Sequence, residues 1–379
     1  MGDTKKILYI ASTFGHLSSF HRPYLQWFAR QGCEVHAAAG GETCQLEGVS
    51  RLIQLSLEKS MFSPRNLAAT RMLRRLIRQE QYDFVSLHTS LAAFFARLAV
   101  VPPMAHRPVV MNTVHGYLFD NDTPSAKRQL LLSAERLTAP VTDWLLTMNR
   151  QDEDIAQRYH LGRQCRATRG MGVDMARFVP PDEGQRAQAR AQLGLDTDAL
   201  VLVYAAEFSA RKSQKTLIEA MPHLPENTML LLPGRGALLE DCRALAERLG
   251  VQGRVRFPGF IRDMLPYYQA ADLCVSASRI EGLPFNVMEA MACGLPVVAT
   301  RVKGHEDLVE PDKTGLLFPY GDAAAFADAV QRLSDPSRRL AMGQAARQAV
   351  QPYDIRPVFE ELTTLYRQAA GLADGTTWS

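Results

Sequence analysis

The sequence predicts an α/β protein built from two doubly wound domains, each a parallel sheet with helical crossovers. Three observations predict it. Short apolar runs recur along the whole chain, each followed by a longer segment with helical spacing. Parallel strands need long crossovers, and helices supply them. The chain has 379 residues, enough for two cores of ordinary size. A Pro- and acid-rich stretch, Pro180 to Gly184, breaks the rhythm near the middle and marks the join, within about residues 178–198.

In the first half, Lys6 to Ala11 reads as the opening strand, a buried apolar run after two lysines. Pro23 to Gln31 follows as a helix, then strands at Glu34 to Ala39 and Arg51 to Leu55. Asn66 to Gln79 carries apolar residues at helical spacing, and Phe84 to His88 is again strand-like. Leu91 to Ala99 is a helix, and Val109 to Val114 and Trp144 to Met148 are strands. The second half repeats the pattern, with strands at Leu200 to Ala205, Thr228 to Leu232, Val255 to Pro258, Leu273 to Ser276 and Pro296 to Ala299. Pro357 to Ala370 is the last strong helix. The domains expected are residues 1–178, residues 179–356, and a terminal helix, residues 357–372.

Composition is that of a globular protein: 46% hydrophobic and 22% charged. Six scattered cysteines (33, 44, 165, 242, 274 and 293) include no C-x-x-C pair, which fits a reducing compartment. No run reaches the ~20 apolar residues of a membrane span, and the first strand is too short for a signal peptide. Net charge is +3, unevenly spread: residues 1–180 hold 22 Lys+Arg against 15 Asp+Glu, and the remainder 21 against 25. The first half is therefore the one suited to an anionic surface.

The most informative segment is Ser278 to Thr300, SRIEGLPFNVMEAMACGLPVVAT. An apolar strand leads into the turn Gly282-Leu283-Pro284. Pro284 suits the first helical position, and Phe285 to Cys293 continue as a helix that stops at Gly294. A strand, tight turn and helix start offer backbone N–H groups and a positive dipole, which suit phosphate. Glu281 and Glu289 flank that turn. Carboxylates repel phosphate but accept well from hydroxyls. A ligand with both diphosphate and many hydroxyls is a nucleotide-sugar.

The pattern E-x7-E within EGLPFNVMEAMACGLPVVAT resembles the donor-site signature of retaining glycosyltransferases of family four, which have the GT-B fold. The resemblance continues through Gly304, His305 and Glu306, TGLLFPYGD (Thr314 to Asp322), RVRFPGF (Arg254 to Phe260) and AADLCVSAS. In the first half it includes FHRPYL (Phe20 to Leu25), LHTSLAAFFARLA (Leu87 to Ala99), TVHGYLF (Thr113 to Phe119) and GMGVDMARF (Gly170 to Phe178). These N-terminal pieces resemble a narrower group, enzymes that extend lipid-diphosphate-linked saccharides in bacterial capsule, exopolysaccharide or protein-glycan assembly.

The resemblance implies two facing Rossmann-like domains with a cleft between them, an acceptor-binding domain first and a nucleotide-sugar domain second. The terminal helix is expected to cross back to the first domain. It implies a sugar, an N-acetylhexosamine or hexose, moved from a UDP-sugar to a polyprenyl-diphosphate-linked saccharide. Glu281 would orient the donor sugar and Glu289 hold the ribose. Backbone at Gly282, Leu283, Phe285, Asn286 and Val287, with Lys212, would stabilise the departing diphosphate. Gly259 and Phe260 would receive the base. The family pattern G-R-L-x-x-x-K is altered here. Lys212 matches the lysine, but Glu207 stands where the arginine belongs, and Arg211 is available to compensate. His115, beside Gly116 after a strand, is implied as a further catalytic residue facing the donor sugar, and Gly15, His16 and His88 as acceptor-side residues.

Arg71, Arg74, Arg75 and Arg78 are spaced i, i+3, i+4, i+7 on one helix face. Such a face suits an anionic membrane surface; an ordinary solvated face explains it equally well. Asp120-Asn121-Asp122 is a D-x-D triplet, but a turn before Thr123-Pro124 accounts for it, and no cluster has metal spacing. No metal, cofactor or nucleic acid is expected. The absence of G-x-G-x-x-G and G-x-x-x-x-G-K-[ST] removes the main support for dinucleotide oxidoreductase and P-loop readings. The expected location is cytoplasmic, peripheral to the inner face of the cell membrane. A UDP-sugar epimerase of the same fold and a non-catalytic nucleotide-sugar-binding protein remain as alternatives.

Overall fold

The computed structural model describes residues 4–58, 60–121 and 123–373. The chain divides into two compact units. Unit 1 comprises residues 1–171 and 357–379, and unit 2 residues 172–356.

Unit 1 is a seven-stranded parallel sheet. Its strands are β1 (Lys6–Thr13), β2 (Glu34–Gly40), β3 (Arg51–Gln54), β4 (Phe84–His88), β5 (Val109–Thr113), β6 (Trp144–Thr147) and β7 (Gln164–Ala167), in the order β3-β2-β1-β4-β5-β6-β7. Helices α1 (Phe14–Phe20), α2 (Arg22–Arg30), α3 (Pro64–Glu80), α4 (Ser90–Val100), α5 (Ser125–Thr138) and α6 (Arg150–Arg158) make the crossovers. Strand β7 was not read from the sequence, because its residues alternate poorly and most are exposed at the sheet edge. One core cluster sets Leu8, Ile10 and Val85 of the central strands against Leu73, Ile77, Ala92 and Ala96 of α3 and α4.

Unit 2 is a six-stranded parallel sheet. Its strands are β8 (Leu200–Val203), β9 (Thr228–Leu231), β10 (Val255–Arg256), β11 (Leu273–Ser276), β12 (Val297–Thr300) and β13 (Gly315–Phe318), in the order β10-β9-β8-β11-β12-β13. Its helices are α7 (Glu183–Gln192), α8 (Gln214–Ala220), α9 (Leu239–Arg248), α10 (Leu265–Ala270), α11 (Phe285–Ala292), α12 (His305–Leu308), α13 (Ala323–Gln331) and α14 (Pro336–Val350). Helix α7 lies within the stretch, about residues 178–198, where the sequence reading puts the join. Asp182 caps it through a reciprocal bond pair with Gln185, a signal that outweighs the nearby prolines and glycine. The last helix, α15 (Ile355–Ala370), begins in unit 2. From Pro357 onward it belongs to unit 1, where Tyr366 is fully buried against Tyr9, Phe28 and Phe84.

In each sheet the strand order reverses direction at one point: between β1 and β4 in unit 1, and between β8 and β11 in unit 2. Loops diverge to opposite faces there, which leaves a crevice at the carboxyl ends of the strands.

Candidate functional site

The reversal point of unit 2 gathers the residues the sequence singled out. Strands β8 and β11 pair directly, Leu202 with Leu273 and Val203 with Cys274. Their following loops therefore lie side by side, although about 70 residues separate them in sequence. Arg211 and Lys212 come from the first loop and Glu281 from the second. Lys212 Nζ lies 2.5 Å from Glu281 Oε1, and Arg211 Nη1 lies 3.3 Å from Oε2. The loops are also tied through backbone: Arg279 N–H donates to Arg211 O at 2.8 Å, and Arg211 donates to Ile280 O. The buried Tyr204 hydroxyl stands between them, 3.2 Å from Lys212 O and 2.7 Å from Ser278 Oγ.

Electrostatics follow from that geometry. Burial acts to raise the Glu281 pKa, but Lys212, Arg211 and His305 outweigh it and hold the carboxyl at about 2. Glu281 is therefore ionised, and two cations face one anion. Arg211 is 43% exposed at its side chain, whereas Lys212 and Glu281 are nearly covered. Buried beside this group, Asn286 Nδ2 and His305 Nε2 have no hydrogen-bond partner among the described residues. His305 is fixed through Nδ1, which donates to Thr300 O at 2.9 Å. Polar atoms this well buried normally find a partner, so their vacant capacity fits a polar ligand.

Helix α11 starts at Phe285 with Pro284 as N-cap, one position earlier than the expected first-turn role for that proline. The helix ends at Ala292, and Gly294 takes φ 77° after it. Gly282, Leu283, Phe285, Asn286 and Val287 thus bracket the positive end of the α11 dipole. Glu289 lies further along α11. Burial drives its carboxyl up to about 7, although Tyr268 donates to Oε2 at 2.9 Å. The two glutamates of the E-x7-E spacing therefore differ sharply: one is held ionised and one is poised near neutrality.

A cavity of about 620 Å³ opens beyond the carboxyl ends of β8 and β9, lined by Ala206, Glu207, Gly234, Arg235, Phe260 and Met264. Gly234 and Gly236 pass so close to Ala206 O and Phe208 O that any side chain would collide with them. Phe260 is largely exposed, and the Arg235 guanidinium lies 4.9 Å from its ring centre. Gly259 O accepts from Gly234 N–H at 2.7 Å, which fixes this wall of the cavity. Arg235 was not singled out from sequence; its place in Gly-Arg-Gly after a strand was the available signal.

Unit 1 carries a different cluster at its own reversal point. His16 lies in α1, and His88 ends β4, within the run read as a strand from sequence. His115 does follow β5. They are joined by His21, which sequence reasoning passed over inside FHRPYL. Ring centres are 5.0 Å apart for His16 and His21, 5.2 Å for His16 and His115, and 4.1 Å for His21 and His88. His88 has no exposed surface. It lies between Ser86 Oγ at 3.0 Å and His115 Nε2 at 3.2 Å, where it supports the His115 ring. Burial lowers all four imidazoles, His16 to about 4 and His115 to about 3, so the cluster is neutral. Gly15 sits in α1 beside His16.

On α3, Arg71, Arg75 and Arg78 are exposed. Arg74 is half-buried, and its Nη1 donates to Ala99 O, so it is partly committed to α4. Asp120 is buried and accepts from Thr123 Oγ1 at 2.6 Å, as a turn residue does; Asp122 lies outside the described residues. Among the described residues, no helix is long and apolar enough to cross a membrane.

Comparison with known proteins agrees with this architecture. Residues 185–349 match the family model for glycosyl transferases group 1, and residues 24–177 match that for glycosyltransferase family 4. EpsD of Bacillus subtilis, named as a glycosyltransferase, is 35% identical over 368 residues, covering 96% of both chains. An Escherichia coli enzyme named UDP-Gal:alpha-D-GlcNAc-diphosphoundecaprenol alpha-1,3-galactosyltransferase is 24% identical, covering 78% of this chain and 77% of its own. Among solved structures, sucrose-phosphate synthase from Thermosynechococcus elongatus superposes with a TM-score of 0.80 at 24% identity, covering 97% of this chain and 100% of its own.

Proposed function

This chain belongs to the group 1 glycosyltransferases, and we propose that it moves a hexose or N-acetylhexosamine from a UDP-sugar to a polyprenyl-diphosphate-linked saccharide, with retention of configuration. The observation that carries the donor half of this reading is the Glu281–Lys212–Arg211 group at the unit 2 reversal point. Before a ligand arrives, Glu281 holds both cations. A diphosphate entering at the α11 start competes for them and draws Lys212 and Arg211 to its oxygens. Glu281 is then released toward the sugar hydroxyls while remaining ionised. As the glycosidic bond breaks, charge develops on the leaving diphosphate, and the two cations with the helix dipole stabilise it. Arg211 takes the part that the family arginine plays elsewhere, since Glu207 occupies that position.

Glu289 accepts from the ribose hydroxyls, and the Gly259–Phe260 wall receives the uracil, with Phe260 offering its ring face. His115 is assigned to a sugar hydroxyl. The acceptor class is supported by the Escherichia coli relative, whose name specifies a diphosphoundecaprenol-linked GlcNAc acceptor. The exposed arginines of α3 supply a surface for anionic lipid on the cytoplasmic side. On this reading the activity belongs to surface polysaccharide or glycan assembly.

The test is acceptor-dependent UDP release. A panel of UDP-hexoses and UDP-N-acetylhexosamines is offered with a short prenyl-diphosphate saccharide, and the product's anomeric configuration is read by NMR. Release only with the lipid-linked acceptor, and a retained anomer, supports the reading. Sugar conversion without acceptor would favour an epimerase. Binding without turnover on any acceptor would favour a sensor.

A further inference from the structure

We propose that His16, His21 and His115 of unit 1 form a binding site for a borderline divalent cation of the zinc class. One ring nitrogen from each lies within 4.8 Å of the others. Two of these rings carry a vacant nitrogen: His16 Nε2 and His21 Nε2 are buried and have no hydrogen-bond partner among the described residues. His21 is completely buried, so leaving this nitrogen unpaired is costly unless something occupies the space.

The surrounding bonds orient the rings for coordination. Tyr9 OH lies 3.0 Å from both His21 Nδ1 and Tyr366 OH. With Tyr9 donating to Tyr366, its oxygen accepts from His21 Nδ1–H, and the lone pair falls on Nε2. On the other side, His88 Nε2 lies 3.0 Å from Ser86 Oγ and His88 Nδ1 lies 3.2 Å from His115 Nε2; with Ser86 Oγ accepting from His88 Nε2–H, His88 Nδ1 accepts from His115 Nε2–H. That relay frees the other nitrogen of His115. Partners that fix the tautomer of each ligand ring are the usual support of a histidine metal site.

The donor set selects the ion. Three neutral imidazoles suit Zn²⁺ or Co²⁺, whereas Mg²⁺ and Ca²⁺ require oxygen ligands. In a tetrahedral site with Zn–N near 2.0–2.1 Å, nitrogens stand about 3.3 Å apart, so binding draws these rings together by up to about 1.5 Å. Three protein ligands leave one position open for a ligand oxygen, and His16 and His115 are half-buried where His21 is sealed. The site lies wholly in unit 1; it shares His115 with the proposed sugar contact, and cation binding is read without any UDP-sugar present.

The experiment uses the full chain, stripped with a strong chelator and titrated with Co²⁺, then with Zn²⁺ against a chromophoric chelator. The expected result is one equivalent of cation, with the visible bands of tetrahedral Co²⁺. His16→Ala, a half-exposed position, weakens binding by about a hundredfold or more, and Tyr9→Phe by about tenfold through the loss of His21 orientation. Exposed His160→Ala and His223→Ala leave binding unchanged. Folding of each variant is checked by circular dichroism. No tetrahedral Co²⁺ spectrum in the parent protein overturns the site, as does unchanged affinity in folded His16→Ala. If His16→Ala does not fold, the parent spectrum and the near-isosteric Tyr9→Phe decide.

Discussion

The two sheets reverse their strand order in the same way, yet their crevices carry opposite chemistry. At β8/β11, loops from two strands bring one carboxylate against two cations, and ion pairing keeps Glu281 charged despite burial. At β1/β4 and the neighbouring end of β5, four imidazoles crowd together with Tyr9 and Tyr366, and burial keeps them neutral. The backbone device is shared, so it does not determine what binds. The side chains on the loops do: a charged, cation-rich crevice suits diphosphate, and a neutral, lone-pair-rich one suits a borderline cation or hydroxyls.

The strongest way to break this comparison is to discharge the unit 2 crevice. Glu281→Gln lowers acceptor-dependent turnover by about a hundredfold or more. UDP affinity, measured by calorimetry, stays equal or tightens, because Lys212 and Arg211 lose a competitor for the diphosphate. Near-parental turnover would remove Glu281 from the mechanism. Lys212→Met goes the other way and leaves a buried carboxylate with only the half-exposed Arg211. Stability in urea falls by ~3–5 kcal/mol, and adding Glu281→Gln to that variant recovers part of the loss. Additive losses would mean that the two residues do not interact.

Glu289 sharpens the comparison within unit 2. Its carboxyl, raised by burial to about 7, is half-protonated near neutrality in the free protein. Ribose hydroxyls donate to the ionised form, so UDP binding favours deprotonation. UDP affinity therefore rises from pH 6 to pH 8, by up to about tenfold. Glu289→Gln flattens that profile and weakens UDP by ~1–3 kcal/mol. A pH-independent affinity in the parent would count against the ribose contact. The smallest effects belong to the α3 face. Arg71→Gln, Arg75→Gln and Arg78→Gln each weaken sedimentation with anionic liposomes by ~1 kcal/mol at low salt. Arg74→Gln does less, since that side chain is partly committed to Ala99 O. Equal binding by the triple variant would make the face merely solvated.

The sequence by itself determined the alternation of strands and helices, because that is written in local periodicity. It placed eleven of the strands close to their observed bounds and missed β7 and β13. Strand β7 is an exposed edge, and β13 is a short run whose glycine hid it. The E-x7-E spacing likewise put one glutamate in a turn and the other on the following helix, as observed. Only the tertiary structure decided which groups meet. Glu281 finds Lys212 because β11 inserts beside β8, and His21 joins His16, His88 and His115 because β4 inserts beside β1. Strand order is a property of how whole crossovers pack on a sheet, and no local pattern encodes it. The same holds for charge state: two glutamates of one motif differ from about 2 to about 7 because Lys212 and Arg211 outweigh burial at one, whereas burial outweighs Tyr268 and Arg177 at the other.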